Sequence, residues 1–188
     1  MLVGFHGYAE DATIHLAALQ NIPGARDWLI VSVQALHPFY TREQQVVASW
    51  MTSQHREHAI SDNIDYVGHV VAHVRRTHLT TRPIVFAGFS QGGAMAYRAA
   101  AAIDSDGILV LAADVPPDVA AGATPLPRAL IGRGTDDRWY SDQKLERDLA
   151  TLRGKGVSVE TCRFTGGHEW SDAFYSAAGQ WLARLREA

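Results

Sequence analysis

Ser90 is the residue of this sequence best placed for covalent chemistry. It stands in Gly88-Phe89-Ser90-Gln91-Gly92-Gly93, directly behind the apolar run Ile84-Val85-Phe86-Ala87 and ahead of an alanine-rich stretch. A strand that delivers a serine into a tight turn, followed at once by a helix, forces a strained backbone and leaves the hydroxyl exposed above the sheet. Gly88 and Gly92, two residues either side, have no Cβ to obstruct that turn. A helix starting at Gln91 aims unpaired backbone N–H groups at the same spot, where an oxyanion would be held. An alcohol is a poor nucleophile at neutral pH and needs an adjacent base, itself oriented by a third group. Two later segments supply them. Arg133-Gly134-Thr135-Asp136-Asp137-Arg138-Trp139-Tyr140 offers a carboxylate, and Thr165-Gly166-Gly167-His168-Glu169-Trp170 offers an imidazole.

The elements that must position these groups follow from the hydrophobic pattern. Short apolar runs at 2–6, 28–33, 84–88, 108–112, 129–132 and 157–164 alternate with helical patterns near 12–20, 62–78, 91–103, 141–154 and 171–186. That alternation predicts an α/β fold, a mostly parallel sheet of about six strands with helices on both faces. The runs from 84 to 132 are nearly continuous in apolar residues, as strands covered on both faces must be. Ser61-Asp62-Asn63 reads as the cap of the second helix, Ser141 as the cap of the fourth, and Gly154 as its left-handed stop. Residues 34–60 and 113–127 break the alternation. Both follow strands, and open α/β sheets bind ligands beyond the carboxyl ends of their strands. Phe39, Tyr40, Trp50 and Met51, with Trp139 of the acid segment, are the candidate walls of a substrate pocket.

In its motifs the chain resembles the α/β-hydrolase superfamily, and within it the phospholipase/carboxylesterase group that includes acyl-protein thioesterases. Phe5-His6-Gly7-Tyr8-Ala9-Glu10-Asp11 is similar to that group's loop after the first core strand, and 88–93 matches its elbow at every position. Gly134-Thr135-x-Asp137 resembles the acid loop and Gly167-His168-Glu169 the histidine loop. The resemblance implies Ser90 as nucleophile, His168 as general base and then acid, and Asp137 as the orienting carboxylate. The backbone N–H groups of Tyr8 and Gln91 would form the oxyanion hole. It implies one hydrolase domain over 1–188, with no cap domain, no cofactor and no metal. Three departures bear on the substrate: Arg133 stands where the group usually has histidine, Trp139 and Tyr140 follow the acid, and the sequence opens directly on the first core strand. Asp136 competes with Asp137, since adjacent carboxylates disfavour each other's ionisation and one alone can face His168. Spacing from Gly134 favours Asp137.

Other signals carry less. His69 and His73 lie four apart, a metal-ligand spacing, but opposite the apolar stripe Ile64/Val67/Val71/Val74 and with no third ligand nearby. His55 and His58 read the same way, as surface. His6 reads as a structural hydrogen-bonding residue and Asp11 as an N-cap. A net charge of −3 with 20% charged residues gives no electrostatic footprint for nucleic acid. One cysteine, Cys162, excludes an internal disulfide and fits a reducing compartment, so the expected location is the cytoplasm. No stretch approaches a membrane span. The expected partner is a small-molecule ester, with a homodimer left open. Three functions compete: a serine carboxylesterase, a thioesterase or lysophospholipase using the same residues, and a hydrolase-fold protein that binds a ligand without turning it over. With short loops and no cap, the pocket is expected to be open and to prefer short or medium acyl chains.

Overall fold

The computed structural model describes residues 1–78 and 82–187. Its strands are β1 (Leu2–Phe5), β2 (Ile30–Val33), β3 (His37–Tyr40), β4 (Val46–Ser49), β5 (Val85–Phe89), β6 (Gly107–Leu111), β7 (Arg128–Gly134) and β8 (Val159–Phe164). Its helices are α1 (Ala12–Gln20), α2 (Arg56–His78), α3 (Gln91–Ala102), α4 (Pro117–Ala121), α5 (Asp142–Gly154) and α6 (Asp172–Glu187). Six strands form one parallel sheet in the order β2-β1-β5-β6-β7-β8, with helices on both faces. The anticipated α/β architecture of about six strands is thus present, with no cap domain among the described residues. β5 and β6 are buried along their whole length, which is why their sequences are apolar on both faces. No helix among the described residues is long and apolar enough to cross a membrane.

Register explains how distant segments meet. Phe5 of β1 pairs with Gly88 of β5, so the loop after β1 and the turn at Ser90 leave the sheet side by side. Gly134 of β7 pairs with Phe164 of β8, which does the same for the acid and histidine loops. The strand order reverses direction between β1 and β5, the place where such sheets open a crevice at their carboxyl ends.

Three local expectations are corrected. The second helix begins at Arg56, ahead of Ser61-Asp62-Asn63. Asn63 is fully buried inside it, donating to the carbonyls of Trp50 (2.7 Å) and Ala59 (2.6 Å). Tertiary anchoring to Trp50 outweighs the capping preference of the local sequence. The left-handed residue after α5 is Gly156 (φ 77°), whereas Gly154 is still helical. The segment 34–60, without period in sequence, contains the β3–β4 hairpin and the first turn of α2. Short strands of mixed exposure leave no alternation to read. By contrast, the Ser141 cap stands as expected, its hydroxyl accepting from Lys144 N–H at 3.4 Å.

One histidine belongs to the core itself. His15 of α1 is 1% exposed and packs against the backbone of Gly4, where a Cβ would meet its ring at 2.7 Å. Neither ring nitrogen makes a hydrogen bond of good geometry, although the Ala87 backbone lies close enough to favour the protonated form slightly. Burial dominates and holds its pKa down to about 3, with the neighbouring His6 acting in the same direction. The unfolded chain protonates His15 near 6.5, so its contribution to stability is present above that pH and is lost as pH falls toward 3. Replacing His15 with methionine is therefore expected to flatten the acid limb of stability by up to about 1.4 kcal/mol per pH unit. Urea unfolding across that range checks it, and equal slopes in the two proteins would refute the buried neutral state.

Candidate active site

The turn at Ser90 is strained in the way its sequence demanded. Ser90 has φ 52° and ψ −121°, a region costing a non-glycine residue about 1–3 kcal/mol. Packing enforces it. A Cβ on Gly88 would stand 2.2 Å from the Gly92 carbonyl oxygen, and one on Gly92 would stand 2.0 Å from that of Phe5. The Ser90 N–H is tied to Leu111 O of β6 at 3.0 Å.

Across the sheet edge, a continuous hydrogen-bonded chain leads away from the serine. Ser90 Oγ lies 2.8 Å from His168 Nε2, and His168 Nδ1 lies 2.8 Å from Asp137 Oδ2. Asp137 is buried, and its other oxygen accepts the N–H groups of Trp139 (2.8 Å) and Tyr140 (2.9 Å). With one oxygen held by two backbone N–H groups and the other on the imidazole, the carboxylate faces His168 in a fixed orientation. Asp136 is exposed, its N–H bound to Gly166 O at 2.8 Å, and points no bond at the imidazole.

The loop after β1 completes this edge. Its Ala9 N–H is bound to Ala48 O and its Glu10 N–H to Gly7 O, whereas Tyr8 N–H and Gln91 N–H donate to no protein acceptor among the described residues. Glu10 closes the loop on itself, its carboxylate accepting from Gly7 N–H at 2.7 Å. Burial raises the Glu10 pKa, opposed by that N–H and by His168. His6, buried, donates from Nδ1 to Gly7 O (2.7 Å) and accepts Ala35 N–H at Nε2 (3.1 Å). Both nitrogens are used structurally in the neutral ring, and burial lowers its pKa accordingly. Asp11 caps α1 through Ile14 N–H.

The pocket candidates divide. Trp139 lines a groove of about 280 Å³ that also contains Ser90, Gln91 and His168, walled by the loop 112–117 after β6. Trp50 does not line this groove: it is fully buried, packs edge-on against Phe5, and donates from its indole to His6 O at 2.9 Å. Met51 is likewise buried, its carbonyl accepting from Ser49 and from the Gln91 side chain. Trp50 supports the loop after β1 and Met51 the start of α3, and neither lines this groove. Phe39 stacks on Tyr8 at 5.4 Å, and Tyr40 is 68% exposed beside it on the hairpin, outside this groove.

Several supports escaped the sequence reading. The Gln91 side chain accepts Trp50 N–H (2.8 Å) and donates to Met51 O (3.0 Å), fastening the end of the β3–β4 hairpin to the start of α3. Arg133, the departure from the group's histidine, donates from Nε to Tyr140 O at 2.8 Å and so clamps the acid loop from below. Asp148 of α5, buried, accepts from Val115 N–H (3.0 Å) and the Tyr140 hydroxyl (3.1 Å), joining the groove loop to the acid loop. Burial raises the Asp148 pKa, against the pull of Val115 N–H and Arg147. Only a chemically odd buried acid in an otherwise apolar helix face could have flagged it. Among the described residues no cluster of three metal-ligating side chains occurs, and His55, His58, His69 and His73 are exposed.

A sequence profile of the Alpha/beta hydrolase family matches residues 7–187. The chain belongs to that family. Solved structures share its fold across nearly the whole length. SOBER1 of Arabidopsis thaliana superposes with a TM-score of 0.81 at 19% identity, covering 98% of each chain. The Bacillus cereus carboxylesterase gives 0.80 at 16% identity, covering 98% of this chain and 88% of the other. A carboxylesterase from Mesorhizobium loti gives 0.80 at 19%, covering 97% and 87%. No curated protein sequence matches this one. In this α/β hydrolase the acid loop is thus braced through Tyr140 by two residues, Arg133 and Asp148. Tyr140→Phe leaves the backbone bonds and removes the hydroxyl from a buried carboxylate. It is expected to lower stability by about 1–3 kcal/mol, measured by urea unfolding at neutral pH.

Proposed function

We propose that this chain is a serine hydrolase that cleaves carboxylic esters through an acyl-enzyme. The observation that carries the reading is the unbroken chain from Ser90 Oγ to His168 to Asp137, 2.8 Å at each step. His168 Nε2 takes the Ser90 proton as Oγ attacks the carbonyl carbon, and Asp137 keeps the other imidazole nitrogen protonated and facing it. The oxygen that becomes negative is received by the N–H groups of Gln91 and Tyr8, which have no protein acceptor among the described residues; such a donor contributes roughly 10²–10³ in rate. His168 then protonates the departing alkoxide, leaving Ser90 acylated. Water, deprotonated by His168, releases the acid and restores the serine. No step calls for a cofactor. The motif resemblance to the phospholipase/carboxylesterase group favours the same chemistry, and a thioester differs only in the leaving atom. The binding-protein alternative has nothing specific in its favour, since such a protein has no need of a polarised serine in a strained turn.

Hydrolysis of p-nitrophenyl butyrate tests the reading. Ser90→Ala is expected to remove turnover, and Asp137→Asn to lower kcat by about 10³–10⁴-fold by leaving His168 in the wrong tautomer. Asp136→Asn should change it less than about threefold, because that side chain does not touch the imidazole. The reverse ranking of the two aspartates would show that the acid is misassigned, and full activity in Ser90→Ala would overturn the mechanism.

A further inference from the structure

Besides Ser90, Gln91 and His168, the groove contains three charged side chains, Arg56, Asp114 and Lys144, among alanines, prolines, Val115 and Trp139. Two of them are already satisfied. Lys144 Nζ lies 3.0 Å from Asp114 Oδ2 and 2.8 Å from Trp139 O, and the second Asp114 oxygen takes Arg147 at 2.7 Å. Arg56 is different. Among the described residues it forms neither an ion pair nor a side-chain hydrogen bond, although it lines the same cavity as the nucleophile. The nearby carboxylate that feels its field, Asp118, is engaged by both Arg98 Nε and NH2 at 2.8 Å, and Arg98 first and Arg56 last hold the Asp118 pKa low.

We infer that Arg56 is a specificity determinant and that the preferred ester carries a carboxylate, which Arg56 receives while the ester carbonyl sits at Ser90. This inference rests on the serine-hydrolase reading above. A guanidinium presents a planar fork of donors matched to the two oxygens of a carboxylate, and the pairing is charge-assisted. The alanines and prolines that line the groove with Arg56 and Ser90 suit the few methylenes of a short chain linking the two groups. A groove of about 280 Å³ lies at the small end of ligand sites, so the linker is short. The carboxylate can sit on the acyl half or on the alcohol half, since both halves pass the nucleophile.

Paired substrates separate the two. One pair is mono-p-nitrophenyl glutarate against p-nitrophenyl butyrate, with the charge on the acyl side. The other is the butyrate ester of 4-hydroxybenzoate against phenyl butyrate, with the charge on the leaving side. The readout is the ratio of kcat/KM, charged over neutral, in the native protein, Arg56→Gln and Arg56→Lys. In the pair that places its carboxylate at Arg56, the ratio is expected to fall about tenfold in Arg56→Gln, mainly through KM, and to be largely kept in Arg56→Lys. The responding pair identifies the half that bears the charge. If the native protein hydrolyses the neutral esters and neither ratio responds to Arg56→Gln, the assignment of Arg56 is wrong and the hydrolase reading stands. If the native protein turns over none of the four esters, the hydrolase reading fails and takes this inference with it.

Discussion

Between the end of β1 and the start of α3 there is no space for a side chain: a Cβ on Gly92 would lie 2.0 Å from the Phe5 carbonyl oxygen. This contact governs the rest of the site. It presses the first turn of α3 against the loop that follows β1, two segments whose Gln91 and Tyr8 N–H groups donate to no protein acceptor among the described residues. It also fixes Ser90 at φ 52°, outside the conformations serine prefers, with its hydroxyl directed along the sheet edge to His168. Strain of this kind persists only where surrounding packing over-determines it. Here the packing is backbone against backbone, which yields far less than a side chain would.

The remaining parts reach that turn through strand register. Pairing of Gly134 with Phe164 sets the acid and histidine loops next to each other, and the Asp136 N–H bond to Gly166 O laces them together. Asp137 is held by the backbone behind it, while Arg133 and Asp148 hold that backbone through Tyr140. On the opposite side, Glu10 and the Gln91 side chain hold the loop after β1 and the hairpin end. Rigid supports of this type matter because a polar group aimed in advance loses nothing to reorientation when charge develops.

Much of this was legible in the amino-acid order, for identifiable reasons. A buried parallel strand has to be apolar on both faces, so β5, β6 and β7 declared themselves as runs. The turns that carry Ser90, Asp137 and His168 were legible because tight turns force glycine at fixed offsets from the residue they present. Trp50 and Met51 misled, because an aromatic or sulfur side chain in a loop has the same sequence signal whether it faces a ligand or the underside of another loop. Their burial depends on contacts with Phe5, His6 and Gln91, far away in sequence. Asp148 and Arg133 were illegible for the same reason: a polar residue inside an element acquires meaning only from what it touches across the fold. The start of α2 was displaced because Asn63 found a tertiary partner in Trp50 O and ceased to act as a cap.

The central claim is that Ser90 is a nucleophile activated through His168. A fluorophosphonate probe reports on it directly, because it phosphonylates only a serine whose hydroxyl is deprotonated on attack and whose oxyanion is received. Incubating the folded protein with the probe and mapping the adduct by peptide mass spectrometry should find one equivalent, on Ser90, and none after thermal unfolding. An unmodified Ser90 in the native protein, or an adduct on another residue with Ser90 intact, would contradict the account.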